Sequence, residues 1–513
     1  MSRRFPGRRF SFFRLTVLLA VIGAIVLGVL YNYRAWKDDA NAERSTPWFA
    51  AYVDVTATPS HAFETPRSST DRHVALGFVV AAAEDECAAS WGAYLTPEQA
   101  RRELELDRRV ARLQQAEGSI TVSFGGAANT ELALACTDTR ELTEQYAQIV
   151  ERYRPAALDF DIEGEALADA VSRERRAVAV ARLQQEVEER LTTWLTLPVG
   201  PDGLTSDGVE TVRSFLRAGV HLDGVNVMTM NFTGDDAAND QSKVAIRALE
   251  ATHWQLKAIY ADHGQPIGDS TAWRMIGATP MIGQNDVRGE VFTLRDARAL
   301  RAFAVEVGLG RMSMWSANRD SSCAAAYADL SVLSDSCSGI EQGEQRFGEL
   351  LGKGFSGSPA GDLGVPSPTA PLQPDRLVDD PESSPYPVWE AAANYPADTR
   401  IVWRHNVYRA KWWNVDVQPD DPSLSPADNA WELIGPVLPG ETPVERLRLP
   451  ETFYPRWDAE TVYLRGDRVM FDGLPYEAKW WTEGENPAAG QSDPGSTPWR
   501  ALGQQEIEQL LKP

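Results

Sequence analysis

Eight apolar, β-rich runs alternating with helical stretches over ~300 residues predict an α/β chain built on an eightfold β/α barrel. A break rich in Gly, Pro and Ser follows the last run, and beyond it the sequence repeats itself at a constant offset of 68 residues. The expected architecture is therefore a (β/α)8 TIM barrel, a flexible linker and two small all-β modules, with one transmembrane helix ahead of the barrel. A chain of 513 residues exceeds a single hydrophobic core, in keeping with several domains.

The chain opens on Arg3, Arg4, Arg8, Arg9 and Arg14, and Leu15 to Tyr33 then run without a charge. At 1.5 Å rise such a run spans roughly 28 Å, enough for a bilayer core. The reading is a basic cytoplasmic segment over 1–14 and a signal anchor over 15–33, with the rest of the chain exported to the periplasm or the cell exterior. A cleaved signal peptide, releasing a secreted chain, is the competing reading. Against it, the run is longer than a typical signal core, and no small-x-small site follows Tyr31-Asn32-Tyr33-Arg34.

Four cysteines, Cys87, Cys136, Cys323 and Cys337, suit two disulfides in an exported protein. Among the three pairings, Cys323–Cys337 closes a short local loop and leaves Cys87–Cys136. No CxxC or paired histidines accompany them, and the six histidines are scattered, so neither a metal nor another cofactor is expected.

The barrel is expected over 46–345. Its strand candidates are Ala50–Thr56, Ala75–Ala81, Ser119–Gly126, Ala156–Glu163, Thr192–Gly200, Asp223–Phe232, Arg274–Asp286 and Gly310–Asp320. Amphipathic stretches such as Asp138–Arg152 and Arg173–Leu191 supply helices between them. A doubly wound open sheet is the alternative, but no Gly-rich dinucleotide fingerprint supports it.

The fourth run carries the chemistry. Asp159, Asp161 and Glu163 stand at i, i+2 and i+4, separated by Phe160 and Ile162 and preceded by Leu158. In a strand the three acids share one face and the three apolar residues the other. Crowding and desolvation then raise at least one carboxyl pKa, which is how a general acid is made near neutral pH. A solvated edge strand would show the same pattern. The position favours chemistry, because barrel sites lie at the C-terminal ends of strands. Glu163 ends the fourth run, Gly125-Gly126 end the third, and Trp315 lies in the eighth.

The stretch over 352–384 has no apolar periodicity and reads as a flexible linker. The modules follow over 385–437 and 453–505. Trp389, Tyr395, Tyr408, Lys411-Trp412-Trp413 and Trp431 recur as Trp457, Tyr463, Tyr476, Lys479-Trp480-Trp481 and Trp499. A ~50-residue module cannot bury that many large aromatics, so some are exposed platforms of the kind that stack on sugar rings. The formal charge of −23 and pI near 4.8 argue against nucleic acid as a partner and suit a neutral substrate.

With these residues in view, 46–345 resembles the catalytic domain of glycoside hydrolase family 18, the chitinase family. That family's motif reads D-G-x-D-x-D-x-E. Asp159, Asp161 and Glu163 match its last three acids, while Ala156-Ala157 stand where it has Asp-Gly. Ser123-Phe124-Gly125-Gly126 matches its S-x-G-G, and Trp315 in MSMWS matches its eighth-strand Trp. The C-terminal repeats resemble family 5/12 carbohydrate-binding modules through the A-K-W-W runs at Ala410–Trp413 and Ala478–Trp481.

The resemblance implies a retaining, substrate-assisted hydrolysis of β-1,4-linked N-acetylglucosamine polymers such as chitin. Glu163 would protonate the glycosidic oxygen while the sugar's own acetamide carbonyl attacks the anomeric carbon, an exception to the usual two-carboxylate scheme. Asp161 would bind the acetamide, Asp159 would hold Asp161 and share its proton, and Trp315 would floor the reacting sugar. Many members have M-T-Y-D on the sixth strand where this chain has Met228-Thr229-Met230-Asn231, so the phenol is missing. Gln284 or Asn285, at the expected end of the seventh strand, are candidate replacements. In the modules the resemblance points to Trp413 and Trp481, with Tyr395 and Tyr463, as the platforms, leaving Trp412 and Trp480 to the core. A chitin- or peptidoglycan-binding protein with a weak barrel is the runner-up, and hydrolysis of another N-acetylglucosaminyl glycan is the third reading.

Overall fold

The computed structural model describes residues 12–42, 45–187, 191–232, 240–324, 332–359, 379–391, 393–425, 427–443, 449–489 and 497–511. It falls into one unit up to Ser367 and a second from Pro368.

The first unit is a ring of eight parallel strands, in the expected order. The first strand comes in two pieces, Trp48–Phe49 and Ala51–Asp54. Its first piece pairs with the eighth strand, Arg311–Met312, and its second with His73–Ala81, which closes the ring. Between them lie Ser119–Gly125, Ala157–Asp161, Thr192–Gly200, Gly224–Met228 and Ile276–Thr279, each parallel to its neighbours. Helices cover the outside. Thr139–Tyr153 is started by Asp138, whose carboxylate accepts from the backbone N–H of Arg140 and Glu141, at 2.7 and 3.0 Å. Its Tyr146 and Ile149 pack inward, and Ala170–Glu186 lies beside it.

The strand alternation is as the sequence suggests. Leu158, Phe160 and Ile162 point outward to the helices, where the Phe160 ring stacks on Phe124 at 5.2 Å. The opposite faces build a polar layer inside the barrel. Tyr52, Ser123, Asp159, Thr196, Asn226, Thr279 and Arg311 come from seven of the eight strands and are hydrogen-bonded to one another. Such a layer is tolerated only because its members satisfy each other.

Two boundaries differ from expectation. The membrane span expected over 15–33 is not borne out: among the described residues no helix is long and apolar enough to cross a membrane. The segment lies in a helix, Phe12–Ala42, that starts beside Arg14 and ends in Lys37, Asp38 and Asp39. Its last turns dock on the barrel. Asp38 accepts from the backbone N–H of Ser270 and Thr271, at 2.9 and 3.2 Å, capping the helix Asp269–Arg274, and Arg274 Nε donates to the Ala42 carbonyl. The start of the expected linker also belongs to the barrel. Phe347–Gly352 is a packed helix, Phe355 is buried, and Ser356 bridges to Trp48. Residues 360–378, the bulk of that linker, and 1–11 of the N-terminal segment lie outside the described residues.

Both disulfides form as expected, Cys87–Cys136 and Cys323–Cys337. In the second unit each repeat is a three-stranded antiparallel sheet. The strands are Arg400–Trp403, Asn406–Ala410 and Trp431–Pro436 in the first repeat. In the second they are Arg468–Phe471, Leu474–Ala478 and Trp499–Ala501.

Candidate active site

The three acids of the fourth strand meet three different environments. Asp159 is fully buried in the polar layer and accepts four hydrogen bonds. Tyr52 Oη and Ser123 Oγ donate to its Oδ2, each at 2.7 Å, and Thr196 Oγ1 and Arg311 Nη1 to its Oδ1, at 2.7 and 2.6 Å. Asp161, one pleat further up, is also buried, and its Oδ1 has no partner among the described residues. Burial raises its pKa well above the usual carboxylate range. The charges of Glu163 and Asp159 add to this, and Arg311 works against it.

Glu163 sits at the mouth, just beyond the strand, and is half-buried. Burial, and secondly the charge of Asp286, push its pKa from 4.5 to about 6. That suits a general acid working in mildly acidic to neutral solution.

Gly125 and Gly126 shape the floor beside these acids. They take φ of 104° and 87°, which side-chain-bearing residues rarely adopt. A Cβ on Gly125 would strike the Asp161 carbonyl, and one on Gly126 would meet the Phe78 ring at 2.9 Å. The Gly126 N–H in turn donates to the Asp161 carbonyl at 2.9 Å, fixing the level of the acid. Trp315 stacks on Phe78, with ring centroids 5.5 Å apart and planes 24° from parallel, and Tyr52 lies 6.1 Å from each. The cluster is thus three rings, with Trp315 and Phe78 partly exposed and Tyr52 buried, and sequence reading names only Trp315.

The sixth-strand departure resolves in an unexpected way. Asn231, at φ 55°, forms a reciprocal pair with Asp286: its Nδ2 donates to Oδ2 at 2.7 Å, and the Asp286 N–H donates back to its Oδ1 at 3.1 Å. Met230 is half-buried beside it and brings no hydrogen-bonding group. Of the two expected replacements for the phenol, Asn285 is buried and has its amide engaged elsewhere, on the Met281 and Gly283 carbonyls. The Gln284 side chain lies against Gly339, on the loop that follows Cys337. The residue that faces Glu163 from this side is Asp286, two positions further on. Its signal in the sequence is an acid closing the seventh run. Beneath it, the buried Arg319 donates to the Gln284 carbonyl at 2.6 Å and to the Ser334 carbonyl at 2.9 Å, and burial lowers its pKa to about 10.

In each module the tyrosine belongs to the core, a correction to the expected platform. Tyr395 and Tyr463 are 5% and 6% exposed, and each packs edge-on against a tryptophan, Trp431 at 5.0 Å or Trp499 at 5.1 Å. Their hydroxyls accept from the backbone N–H of Glu390 and Asp458. Trp412 packs partly against its core under Lys411, as expected, but Trp480 is 40% exposed. Trp481 is 58% exposed, whereas Trp413 is half-buried. The second module therefore presents two open indoles where the first presents less. Among the described residues, the one close grouping of possible metal ligands is Cys87, Cys136 and Glu141, and its sulfurs are bonded to each other.

A parallel barrel with buried and mouth-level carboxylates beside an aromatic cluster has the groups that acid-catalysed glycoside hydrolysis needs, and the known proteins it resembles are glycoside hydrolases. Over 284 residues, 53% of this chain, it is 35% identical to the probable bifunctional chitinase/lysozyme of Escherichia coli (strain K12), 31% of which is covered. Over the same length it is 34% identical to endochitinase 11 of Metarhizium anisopliae, 52% of which is covered. The chain thus spans about half or less of these relatives. The catalytic domain of the hyperthermophilic chitinase of Pyrococcus furiosus superposes with a TM-score of 0.52 at 27% identity, covering 61% of this chain and 98% of that domain. Site mutants of a domain of the same organism's thermostable chitinase, complexed with chito-oligosaccharides, match at the same identity and score, with 96% of that chain covered. Residues 456–500 match the model of carbohydrate-binding module family 5/12. The barrel is similar to chitinase catalytic domains, which supports a glycoside hydrolase, and the second repeat is the part of the chain that matches the carbohydrate-binding module family.

Proposed function

We propose that this protein is an exported chitinase that hydrolyses β-1,4-linked N-acetylglucosamine polymers with retention of configuration. The observation that carries the reading is Glu163, held at the barrel mouth with its pKa raised to about 6, next to a buried Asp161 whose Oδ1 has no partner among the described residues. Glu163 donates its proton to the glycosidic oxygen, and the C–O bond to the anomeric carbon breaks. The acetamide carbonyl oxygen of the same sugar attacks that carbon and closes an oxazolinium ring. Asp161 Oδ1 accepts from the acetamide N–H, which supplies the hydrogen bond its burial otherwise lacks. Water, deprotonated by Glu163, then opens the ring and restores the acid. Trp315, Phe78 and Tyr52 lie under the sugar.

The second module presents the polymer platform through Trp480 and Trp481. We assign the first repeat the same role on its matching interior: Trp431 Nε1 to the Val417 carbonyl and Trp499 Nε1 to the Glu485 carbonyl are equivalent bonds, both 2.8 Å, at the sequence offset of the repeat. Two disulfides favour an oxidising compartment outside the cytosol.

Release of sugars from N-acetylchitooligosaccharides and colloidal chitin by wild type and Glu163→Gln tests the reading. Loss of a general acid typically costs ~10²–10⁴ in rate. Equal release by both would leave the chitin- or peptidoglycan-binding reading. One observation favours that second reading: no phenol stands on the sixth strand, and Asn231 is tied to Asp286. Equal or better release from peptidoglycan would move the substrate to another N-acetylglucosaminyl glycan.

A further inference from the structure

The resemblance implies that Asp159 shares a proton with Asp161. The surroundings of Asp159 speak against that. A carboxylate offers about four acceptor sites, and Tyr52, Ser123, Thr196 and Arg311 fill all four, none further than 2.7 Å. No hydrogen bond joins Asp159 to Asp161 among the described residues, and Asp161 Oδ1 is unpartnered. A proton on Asp159 would have to displace one of the four donors or turn a hydroxyl from donor to acceptor, and the Arg311 bond can do neither without breaking the ion pair.

Arg311 is the unusual member. It and Asp159 are both fully buried, 2.6 Å apart, in the middle of the barrel. Its other contacts are equally fixed: Nε donates to Ser313 Oγ at 2.9 Å, Nη2 to Tyr52 Oη at 3.0 Å, and the guanidinium lies over the Trp48 ring at 4.9 Å, with Tyr52 and Trp194 near by. A planar fork bonded along two edges and held against aromatic rings is a cation without freedom to leave.

We propose that Arg311 takes Asp159 out of the proton-sharing chain: the two form a permanent ion pair that positions and electrically screens Asp161, and the mobile proton of the site belongs to Asp161 and Glu163 alone. Arg311 and Asp159 are positioning residues in this scheme, because neither reaches the sugar. The groups bearing on Asp161 are Glu163 and Asp159 from its own strand and Arg311 from the eighth, with Tyr52 from the first facing the same layer. The two charges of the pair act on Asp161 in opposite directions, so removing one moves its proton affinity and removing both restores it.

The proposal rests on Glu163 and Asp161 being the reacting pair, so Glu163→Gln is carried as a control. If that variant equals wild type, the functional reading fails and the cycle is moot. The experiment measures kcat/KM against pH on an N-acetylchitooligosaccharide for the full chain as wild type, Asp159→Asn, Arg311→Gln and the double variant, with thermal melts for folding. Asp159→Asn leaves a bare cation and should shift the descending alkaline limb to lower pH. Arg311→Gln leaves a bare anion and should shift it to higher pH. The double variant should return the limb to its wild-type place, with kcat/KM at least ~tenfold above either single variant. Buried lone charges can prevent folding, and the double variant then carries the test by itself. Folded and clearly more active than Glu163→Gln, it supports the pair; folded and as inert as Glu163→Gln, it restores proton sharing through Asp159. Single variants whose limbs fail to move in opposite directions also overturn the proposal.

Discussion

Replacing Asp286 by Asn should shift the acid chemistry of Glu163 without touching the fourth strand. The Glu163 pKa stands at about 6 against an ordinary 4.5, with burial the larger cause and the Asp286 charge the smaller. Less than half of that rise, ~0.7 pH or below, is therefore removable through Asp286. A general acid must carry its proton in the free enzyme, so the alkaline limb of kcat/KM reports the proton that Glu163 holds in common with Asp161. Moving it from about 6 to ~5.3 cuts the protonated fraction at pH ~7 about fivefold, and at pH ~5 by less than twofold. The amide keeps an oxygen able to accept from Asn231 Nδ2, so the loop geometry survives. The assay is the pH profile of chitooligosaccharide hydrolysis. A limb that stays in place, or rises, would refute the assignment of Asp286 as the charge that tunes Glu163.

Three further outcomes follow from the same geometry. A carboxyl whose folded pKa is raised binds its proton better in the folded state, so its penalty is absent below about pH 4.5 and complete above about pH 6; Glu163→Gln should therefore raise stability by about 1–2 kcal/mol at neutral pH and by little near pH 4, as read by thermal or denaturant unfolding. Gly126→Ala places a methyl against Phe78 at φ 87°, which should cost ~1–2 kcal/mol of stability and raise KM by disturbing the ring under Trp315; an unchanged KM would separate Phe78 from the sugar floor. In the full chain carrying Glu163→Gln, Trp481→Ala should weaken binding to chitin by ~3–10-fold and Trp413→Ala by less, because the first indole is open and the second half-covered; the reverse order in a pull-down would contradict the platform assignment.

The barrel was legible because its signal is periodic and redundant: every one of the eight runs becomes a strand of the ring, and the two disulfides join the expected partners. The acids were legible because alternation fixes their face whatever surrounds them. What surrounds them was not. Arg311 sits in an apolar run where a lone cation reads as the strand's wet end, and only ring closure brings it against Asp159, 152 positions earlier. Asp286 reaches Glu163 through loop geometry that spacing does not encode. A repeat preserves core and platform aromatics alike, which is why Tyr395 and Tyr463 read as sugar contacts although their hydroxyls serve the backbone. The N-terminal apolar run carried a composition signal only, and the bonding of Asp38 to the barrel just past it is something composition over 15–33 does not encode.

The most direct test of the central claim is the anomer released first. Glu163 and Asp286 are close enough for the charge of one to act on the other; under the proposed function, a water activated by Asp286 would invert the sugar, whereas attack by the acetamide retains it. Proton NMR of an N-acetylchitooligosaccharide during early hydrolysis by the full chain separates them before mutarotation mixes the products. Predominantly β anomer at the new reducing end is the predicted result. Predominantly α anomer would contradict the substrate-assisted mechanism and make Asp286 the catalytic base.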